Sequence, residues 1–201
     1  MMDTVERSSI EGILQRDGFV VLPAILSDNE VCALVNAVNE ATPSGDGVMH
    51  STVRYAIRRV MQEIPALHRL VWNACITGIV HELLGSGAFV TKSIWFEKPL
   101  GGNWFVGWHQ DISISVSHRA EVPGYSRWTA KHGMIGVVPP VSVLERTLTL
   151  RIHLDDADSE NGAVRVLPGS HLGGIVPAPV DDHTAVTCAF PRGGVMLMRP
   201  L

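Results

Sequence analysis

The spacing of apolar residues changes at Gly85, and this change limits what the chain can fold into more than any other feature. Before Gly85 the apolar positions follow the helical period, as Val31, Leu34, Val35 and Val38 do. After Gly85 the period is 2, in short segments separated by turn-forming residues. These segments are AFVTKSIWFEKP, WHQDISISV, RTLTLRIHLD, AVRVLPG and GVMLMRPL. A helical half followed by short strands predicts a mainly β protein with N-terminal helices (α+β), either a β-sandwich or a jelly roll.

Two helices can be bounded from the residues at their ends. The stretch LSDNEVCALVNAV carries a capping box, with Ser27 as N-cap, Glu30 three residues later and Leu26 in the position of a hydrophobic staple. The stretch PALHRLVWNACITGIVHELLG begins with Pro65 and ends at Gly85, which predicts one helix between them. Upstream of both, the stretch DGFVVLPAIL predicts a short strand that enters the fold.

Composition and charge exclude several classes of protein. The 201 residues suffice for a single domain, 1–201, and 46% hydrophobic with 18% charged residues is typical of globular proteins. The net charge of −4 argues against a nucleic acid as partner, and no apolar run approaches the ~20 residues of a membrane span. The N-terminal MMDTVERSSIEG is polar and acidic, unlike a signal or transit peptide. Three scattered cysteines favour a reducing cytoplasm over a disulfide framework.

The stretch GWHQDISISV places His109 and Asp111 two residues apart in a run of β-formers. In a strand the two side chains share one face, so they can occupy two cis positions of one metal ion. A third ligand from another strand would complete the two-histidine, one-carboxylate face of non-haem iron(II) oxygenases, which leaves three positions open. A solvent-exposed sheet face would carry the same polar pattern, so spacing alone leaves both interpretations open.

Two further stretches bear on the site. A second pair of the same spacing, His153 and Asp155, lies at a strand end beside DDADSENG, where Asp155, Asp156 and Asp158 favour a turn and backbone capping. Residues 118–140, HRAEVPGYSRWTAKHGMIGVVPP, are expected to form a long irregular insertion of the kind that covers a site.

Several motifs taken in order resemble the phytanoyl-CoA dioxygenase-like family. They are WHQD, GYSRWTAKHG, LTLRIHLDDADSENGAVRVLPGSHLGG and GGVMLMRPL, and the resemblance runs from about Asp17 to the last residue. It implies a double-stranded β-helix (jelly-roll, cupin-like) fold, with residues 1–87 as a helical support region and 88–201 as the jelly-roll core. It also implies an iron(II)- and 2-oxoglutarate-dependent oxygenase that uses oxygen to hydroxylate a small organic substrate.

The resemblance assigns residues as well. His109 and Asp111 correspond to two iron ligands, and Ile94 and Arg151 fall where the 2-oxoglutarate pocket is bordered. His171 of the PGSH motif is expected to be structural. The substrate pocket is expected to be shaped by the insertion, at Tyr125, Trp128 and Lys131.

The resemblance also implies parts that the motifs given do not include. In the family a second iron histidine and an arginine that binds the 2-oxoglutarate carboxylate follow the equivalent of MLMRPL, so we expect a truncated chain, last strands missing, with little turnover. Two alternatives stay open at this point. One is a non-catalytic truncated paralogue that acts as a binding module. The other is a cupin-like metalloenzyme that recruits a third ligand from among His153, His171 and His183.

Overall fold

The computed structural model describes residues 4–42, 48–50, 54–97, 106–131, 133–177 and 181–201. Within these ranges the helices are α1 (Thr4–Asp17), α2 (Asp28–Glu40), α3 (Val60–Glu63), α4 (Leu67–Val71), α5 (Ala74–Leu84), α6 (Val141–Leu144) and the 3₁₀ turn η1 (Ser170–Gly173). The strands are β1 (Phe19–Leu22), β2 (Val48–His50), β3 (Arg54–Arg58), β4 (Ile94–Phe96), β5 (Ile114–Val116), β6 (Ser126–Lys131), β7 (Met134–Val138), β8 (Thr149–Ile152), β9 (Val164–Val166), β10 (Val186–Cys188) and β11 (Val195–Met198).

Helix α2 begins as the capping box predicts. The Ser27 hydroxyl accepts the Glu30 N–H, and the Glu30 carboxylate accepts the Ser27 N–H at 2.8 Å. The apolar face of the helix points to the core, since Val31, Leu34 and Val38 are all buried. Both the start of this helix and its orientation toward the core are therefore confirmed.

The single helix expected between Pro65 and Gly85 is wrong, because the chain forms two helices there. Trp72 leaves the helical conformation after α4, and Asn73 starts α5 as its N-cap by accepting the Ile76 N–H at 2.9 Å. An asparagine side chain competes with the backbone for such a hydrogen bond, which favours a new helix start. The end at Gly85 is confirmed, with φ at +82°.

The sheet β1–β11–β8 lies between two apolar clusters, one shared with the helices and one on its opposite face. Its strands pair antiparallel, with Leu197 opposite both Val20 and Leu150. This face packs into the core cluster that the helices share, and Leu197 is completely buried. The opposite face carries Met196, which packs with Cys188 and Phe190 in a second cluster. Because successive side chains of β11 point to opposite faces, this strand contributes to both clusters.

The remaining strands pair into β10–β9, β2–β3–β4 and β5–β7–β6 among the described residues. They add to one expectation and correct two. Residues 1–87 contribute β2 and β3 besides the strand expected at DGFVVLPAIL, and β3 pairs with β4, which lies in the region 88–201. The segment 118–140 is not irregular, since it contains the paired strands β6 and β7. The strand expected from 108 to 116 is ladder-paired only over β5, at its C-terminal end.

The turn expected beside His153 is confirmed. The Asp158 carboxylate accepts the N–H groups of Glu160 and Asn161, at 2.8 and 3.2 Å, and Asp156 accepts the N–H of Arg192 at 2.7 Å. None of the helices in the described part of the chain combines the length and the apolar character that crossing a bilayer requires.

Candidate metal site

The backbone that carries His109 and Asp111 lies outside the strand ladders, just before β5. One bond fixes its position, because the Asp111 N–H donates to the Pro200 carbonyl at 2.9 Å. Pro200 follows β11, so this bond ties the candidate ligand to the central sheet. The His109–Asp111 segment is thus positioned by the sheet although it is not a strand itself.

The side chains at the intervening positions fasten this segment to its neighbours. The Gln110 amide donates to the Gly174 carbonyl at 2.8 Å and accepts the Val176 N–H at 3.0 Å. The Trp108 indole donates to Asp182 at 3.4 Å, and the Arg165 guanidinium lies 5.4 Å from the centre of the Trp108 ring. These bonds hold Trp108 and Gln110, the residues on either side of His109, and the His109 and Asp111 side chains lie close to each other.

The orientation of the His109 imidazole suits a metal ligand. Its Nδ1 lies 2.9 Å from the Gly107 carbonyl, which can only accept, so Nδ1 must carry the proton. Nε2 is then unprotonated in the neutral ring, with its lone pair directed away from that bond. A carbonyl that accepts from one ring nitrogen while the other binds the metal is the usual arrangement at histidine metal sites.

His109 Nε2 lies 3.9 Å from Asp111 Oδ1, and the two side chains are 58% and 46% exposed. Two cis ligands at bond lengths of about 2.1 Å would have donor atoms roughly 3 Å apart. Rotation about the side-chain bonds of either residue covers that difference. The pair therefore fits two adjacent positions of one metal ion, and its exposure leaves room for further ligands.

Two further polar side chains, Arg151 and His153, lie on β8 and directly after it. Arg151 lies opposite Met196 in the β8–β11 ladder, on the face away from the helices. Its side chain keeps access to solvent, but surrounding protein atoms lower the pKa of the guanidinium, and the Asp111 carboxylate partly offsets this effect. His153 stacks on Phe190 with ring centres 3.8 Å apart, and burial together with the Arg151 charge lowers the pKa of His153 to about 4. His153 is therefore neutral at pH 7.

The other histidines considered as a third ligand have different surroundings. The imidazole of His171 donates from Nε2 to the Gln15 carbonyl at 3.1 Å and thereby joins η1 to α1, as the expected structural role requires. His183 is 92% exposed beside Asp181. Within the ranges that the structure describes, no three histidine, cysteine, aspartate or glutamate side chains gather closely enough to hold a metal ion. The structure thus gives no support to a third ligand from His153, His171 or His183.

An open cavity of about 450 Å³ adjoins His109. The contribution from the 118–140 segment comes from Arg127, and not from Tyr125, Trp128 or Lys131, which were expected to shape the substrate pocket. Trp128 instead packs against the Arg119 guanidinium at 5.6 Å. The walls are formed by His109, Gln110, Ile112, Arg127, Ile175, Val176 and Pro177.

Comparison with known proteins identifies the family of the chain. The sequence profile described as Phytanoyl-CoA dioxygenase (PhyH) matches residues 14–200. The chain belongs to the phytanoyl-CoA dioxygenase family. Among the family's curated proteins, an ectoine dioxygenase of Bordetella bronchiseptica is 28% identical over 166 residues, which are 78% of this chain and 47% of that protein. An L-proline trans-4-hydroxylase of Streptomyces griseoviridis is 29% identical over 167 residues, 80% of this chain and 54% of that protein.

The chain therefore spans about half the length of the curated phytanoyl-CoA dioxygenase relatives that it matches. The fold has solved counterparts as well. The crystal structure of EctD from S. alaskensis with 2-oxoglutarate and 5-hydroxyectoine superposes with a TM-score of 0.64 at 20% identity, and covers 99% of this chain and 68% of that one. At this level of identity the likeness establishes the shared fold.

Two contacts between distant stretches of this chain could not be predicted from the sequence. Lys92 donates to the Ser113 carbonyl and hydroxyl at 3.2 and 3.1 Å, which places a cation on the stretch that follows the metal pair. Ile94, expected to border the co-substrate pocket, is partly buried in β4 opposite Arg58. No sequence signal links either residue to position 113 or 58, because the contacts depend on how two distant stretches pack.

Proposed function

We propose that this chain is an iron(II)- and 2-oxoglutarate-dependent oxygenase that hydroxylates a small organic substrate, built as one domain on a double-stranded β-helix backed by helices. The observation that carries the proposal is the distance of 3.9 Å between His109 Nε2 and Asp111 Oδ1, with Nδ1 of the same ring bonded to the Gly107 carbonyl. Membership of the phytanoyl-CoA dioxygenase family supports the same assignment. So does the presence of iron, and of 2-oxoglutarate, in crystal structures of the EctD relative.

The residues of the chain would divide the work as follows. His109 Nε2 and Asp111 would hold iron(II) at two cis positions, with the Gly107 carbonyl keeping the imidazole in the required tautomer and the Pro200 carbonyl holding the Asp111 backbone. When bound, the metal and 2-oxoglutarate supply the oxidising power that oxygen chemistry on a C–H bond requires.

Arg151 and Ile94 are proposed to border the co-substrate. Arg151 lies on the sheet face away from the helices and is electrostatically coupled to Asp111, so its guanidinium is suited to contact a carboxylate of 2-oxoglutarate. Ile94 would supply an apolar wall. The adjacent neutral His153 adds no second positive charge that would compete with Arg151 for the co-substrate.

The relatives support the substrate class in general terms. Ectoine and L-proline, named for the curated proteins, are small ring compounds, so we propose a small organic molecule here too. We place the protein in the cytoplasm because Cys32, Cys75 and Cys188 are all free thiols, as is usual in a reducing compartment.

The test is an anaerobic titration of the chain with iron(II) and 2-oxoglutarate, followed by the weak visible charge-transfer band of the chelated complex. Binding is the better readout than turnover, because the described residues offer two protein donors. We expect the band with the wild-type chain and with His118→Ala, a nearby exposed histidine that bonds to Ser117. His109→Ala and Asp111→Ala should each abolish it. A band of equal strength in these two variants, or none in the wild type, would overturn the proposal.

A further inference from the structure

The lining of the cavity beside His109 combines polar side chains with an apolar wall. His109, the proposed metal ligand, and Arg127 from β6 both line it. The apolar part of the wall includes Ile112, Ile175 and Pro177. A volume of about 450 Å³ lies within the range of small-molecule sites. The cavity is thus large enough for a compact organic molecule.

The backbone at Arg127 is arranged in an unusual way. The pairing of β6 with β7 shifts register between Ser126 and Thr129, so Arg127 lies in an irregularity of the ladder. Its φ is +52°, in the left-handed region that residues other than glycine seldom occupy. A bulge of this kind turns a side chain out of the regular alternation. Here the turned side chain is a lining residue of the cavity.

Arg127 also differs from neighbouring arginines in its surroundings. Arg165 lies 3.6 Å from Asp182, Arg192 lies 3.5 Å from Asp28, and Arg119 packs on Trp128. Within the described ranges, no carboxylate lies within ion-pair distance of Arg127, and no hydrogen bond engages its guanidinium. Arg127 is exposed and lines the cavity, so its guanidinium is available to an anionic ligand that enters there.

The other polar side chain along the wall cannot do this. Both heteroatoms of the Gln110 amide are engaged, one by the Gly174 carbonyl and the other by the Val176 N–H. Recognition of a charged group therefore falls to Arg127. His109, which also lines the cavity, is reserved for the metal in the proposed function.

We propose that this cavity is the substrate site and that the substrate is a small apolar carboxylate, whose carboxylate pairs with Arg127 while its hydrocarbon body packs on Ile112, Ile175 and Pro177. The assignment of the ligand as substrate rests on the proposed function. The carboxylate site itself rests on the cavity and on Arg127.

The test uses the metal-free 201-residue chain and two probes with the same ring, cyclohexanecarboxylate and cyclohexanecarboxamide, with binding measured by saturation-transfer NMR titration. A charge-assisted bond implies that the carboxylate binds roughly tenfold or more tightly than the amide. Arg127→Gln should remove this preference, and Arg127→Lys should keep part of it. Lys131→Gln, which removes the same charge from an exposed position on β6, should leave it unchanged. An unchanged circular dichroism spectrum of Arg127→Gln excludes misfolding as the cause of its loss.

Two results would overturn the inference: no preference for the carboxylate in the wild-type chain, or an equal preference in wild type and Arg127→Gln. A third arm distinguishes substrate from co-substrate. Equimolar 2-oxoglutarate should leave the bound cyclohexanecarboxylate in place, and its displacement would assign Arg127 to the co-substrate instead. Because these titrations contain no iron, they can fail while the iron titration succeeds, and the reverse.

Discussion

Replacing Glu30 by alanine should lower the free energy of unfolding by about 2 kcal/mol, because one carboxylate secures the starts of two helices. Glu30 accepts the Ser27 N–H at 2.8 Å and the Ser27 hydroxyl at 2.7 Å, at the start of α2. It also accepts the amide of Asn73, the N-cap of α5, at 2.9 Å. Glu30 is only partly buried, so each bond is assigned about 0.5–1 kcal/mol, near the low end of the range for hydrogen bonds.

The same bonds give the effect a pH dependence. The Ser27 N–H, with the Ser27 hydroxyl and the Asn73 amide, lowers the pKa of Glu30 from its ordinary value of 4.5. A carboxyl whose pKa is lower in the folded than in the unfolded chain stabilises the fold above the unfolded pKa. This stabilisation is lost as the pH falls through the folded pKa. The difference between Glu30→Ala and wild type should therefore be largest near neutral pH and shrink below about pH 4.

The assay is urea unfolding followed by circular dichroism at pH 7 and in the acid range. Glu40→Ala is the control, because Glu40 is exposed at the C-terminal end of α2, and its loss should change stability by less than about 0.5 kcal/mol. A Glu30→Ala deficit no larger than that of Glu40→Ala, or one that does not shrink with acid, would refute the reasoning.

Three further predictions concern the backbone and the segment that carries the metal pair. Gly193→Ala should destabilise the chain by more than about 2 kcal/mol in urea unfolding, because φ is +80° and a Cβ would clash with the Leu26 carbonyl oxygen. Gly12→Ala, on an open face of α1, should instead stabilise by about 0.5–1 kcal/mol, and equal effects at the two glycines would contradict the structure. Arg127→Gly should be neutral or stabilising by up to about 1 kcal/mol, since glycine relieves the positive φ, and a clear loss would contradict that geometry. Gln110→Leu, which removes both bonds to residues 174–176, should weaken iron(II) binding several-fold in calorimetry, and unchanged affinity would show that this anchor does not position His109.

The local parts of the fold could be predicted from the sequence. The capping box at Ser27 and the glycine at position 85 are signals within a single turn of chain, and both are confirmed. The break at Asn73 was missed because the apolar pattern continues across it. The new helix start depends on a single hydrogen bond, in which the Asn73 side chain accepts the N–H of Ile76 three residues later. The strands β2 and β3 were missed because they are short, and their pairing with β4 joins stretches far apart in sequence.

The same distinction between local signals and contacts of distant stretches applies to the candidate site. The pairing of His109 with Asp111 follows from alternation over two residues, which needs no tertiary information. The position of Arg127 at the cavity could not be predicted, because it depends on a shift of register between β6 and β7. The hydrogen bond from the His109 ring to the Gly107 carbonyl, which sets the tautomer, is local, but no pattern of residue types predicts it.

The most direct test of the account is where iron(II) binds. Anaerobic addition of paramagnetic iron(II) to the ¹⁵N-labelled chain should broaden the NMR signals of residues nearest the metal. We expect the earliest and strongest loss at His109 and Asp111 and in the 107–111 segment, with signals of the exposed His118 and His183 retained at the same iron concentration. Broadening centred on another histidine while residues 107–111 keep their signals would contradict the assignment of His109 and Asp111 as the metal ligands.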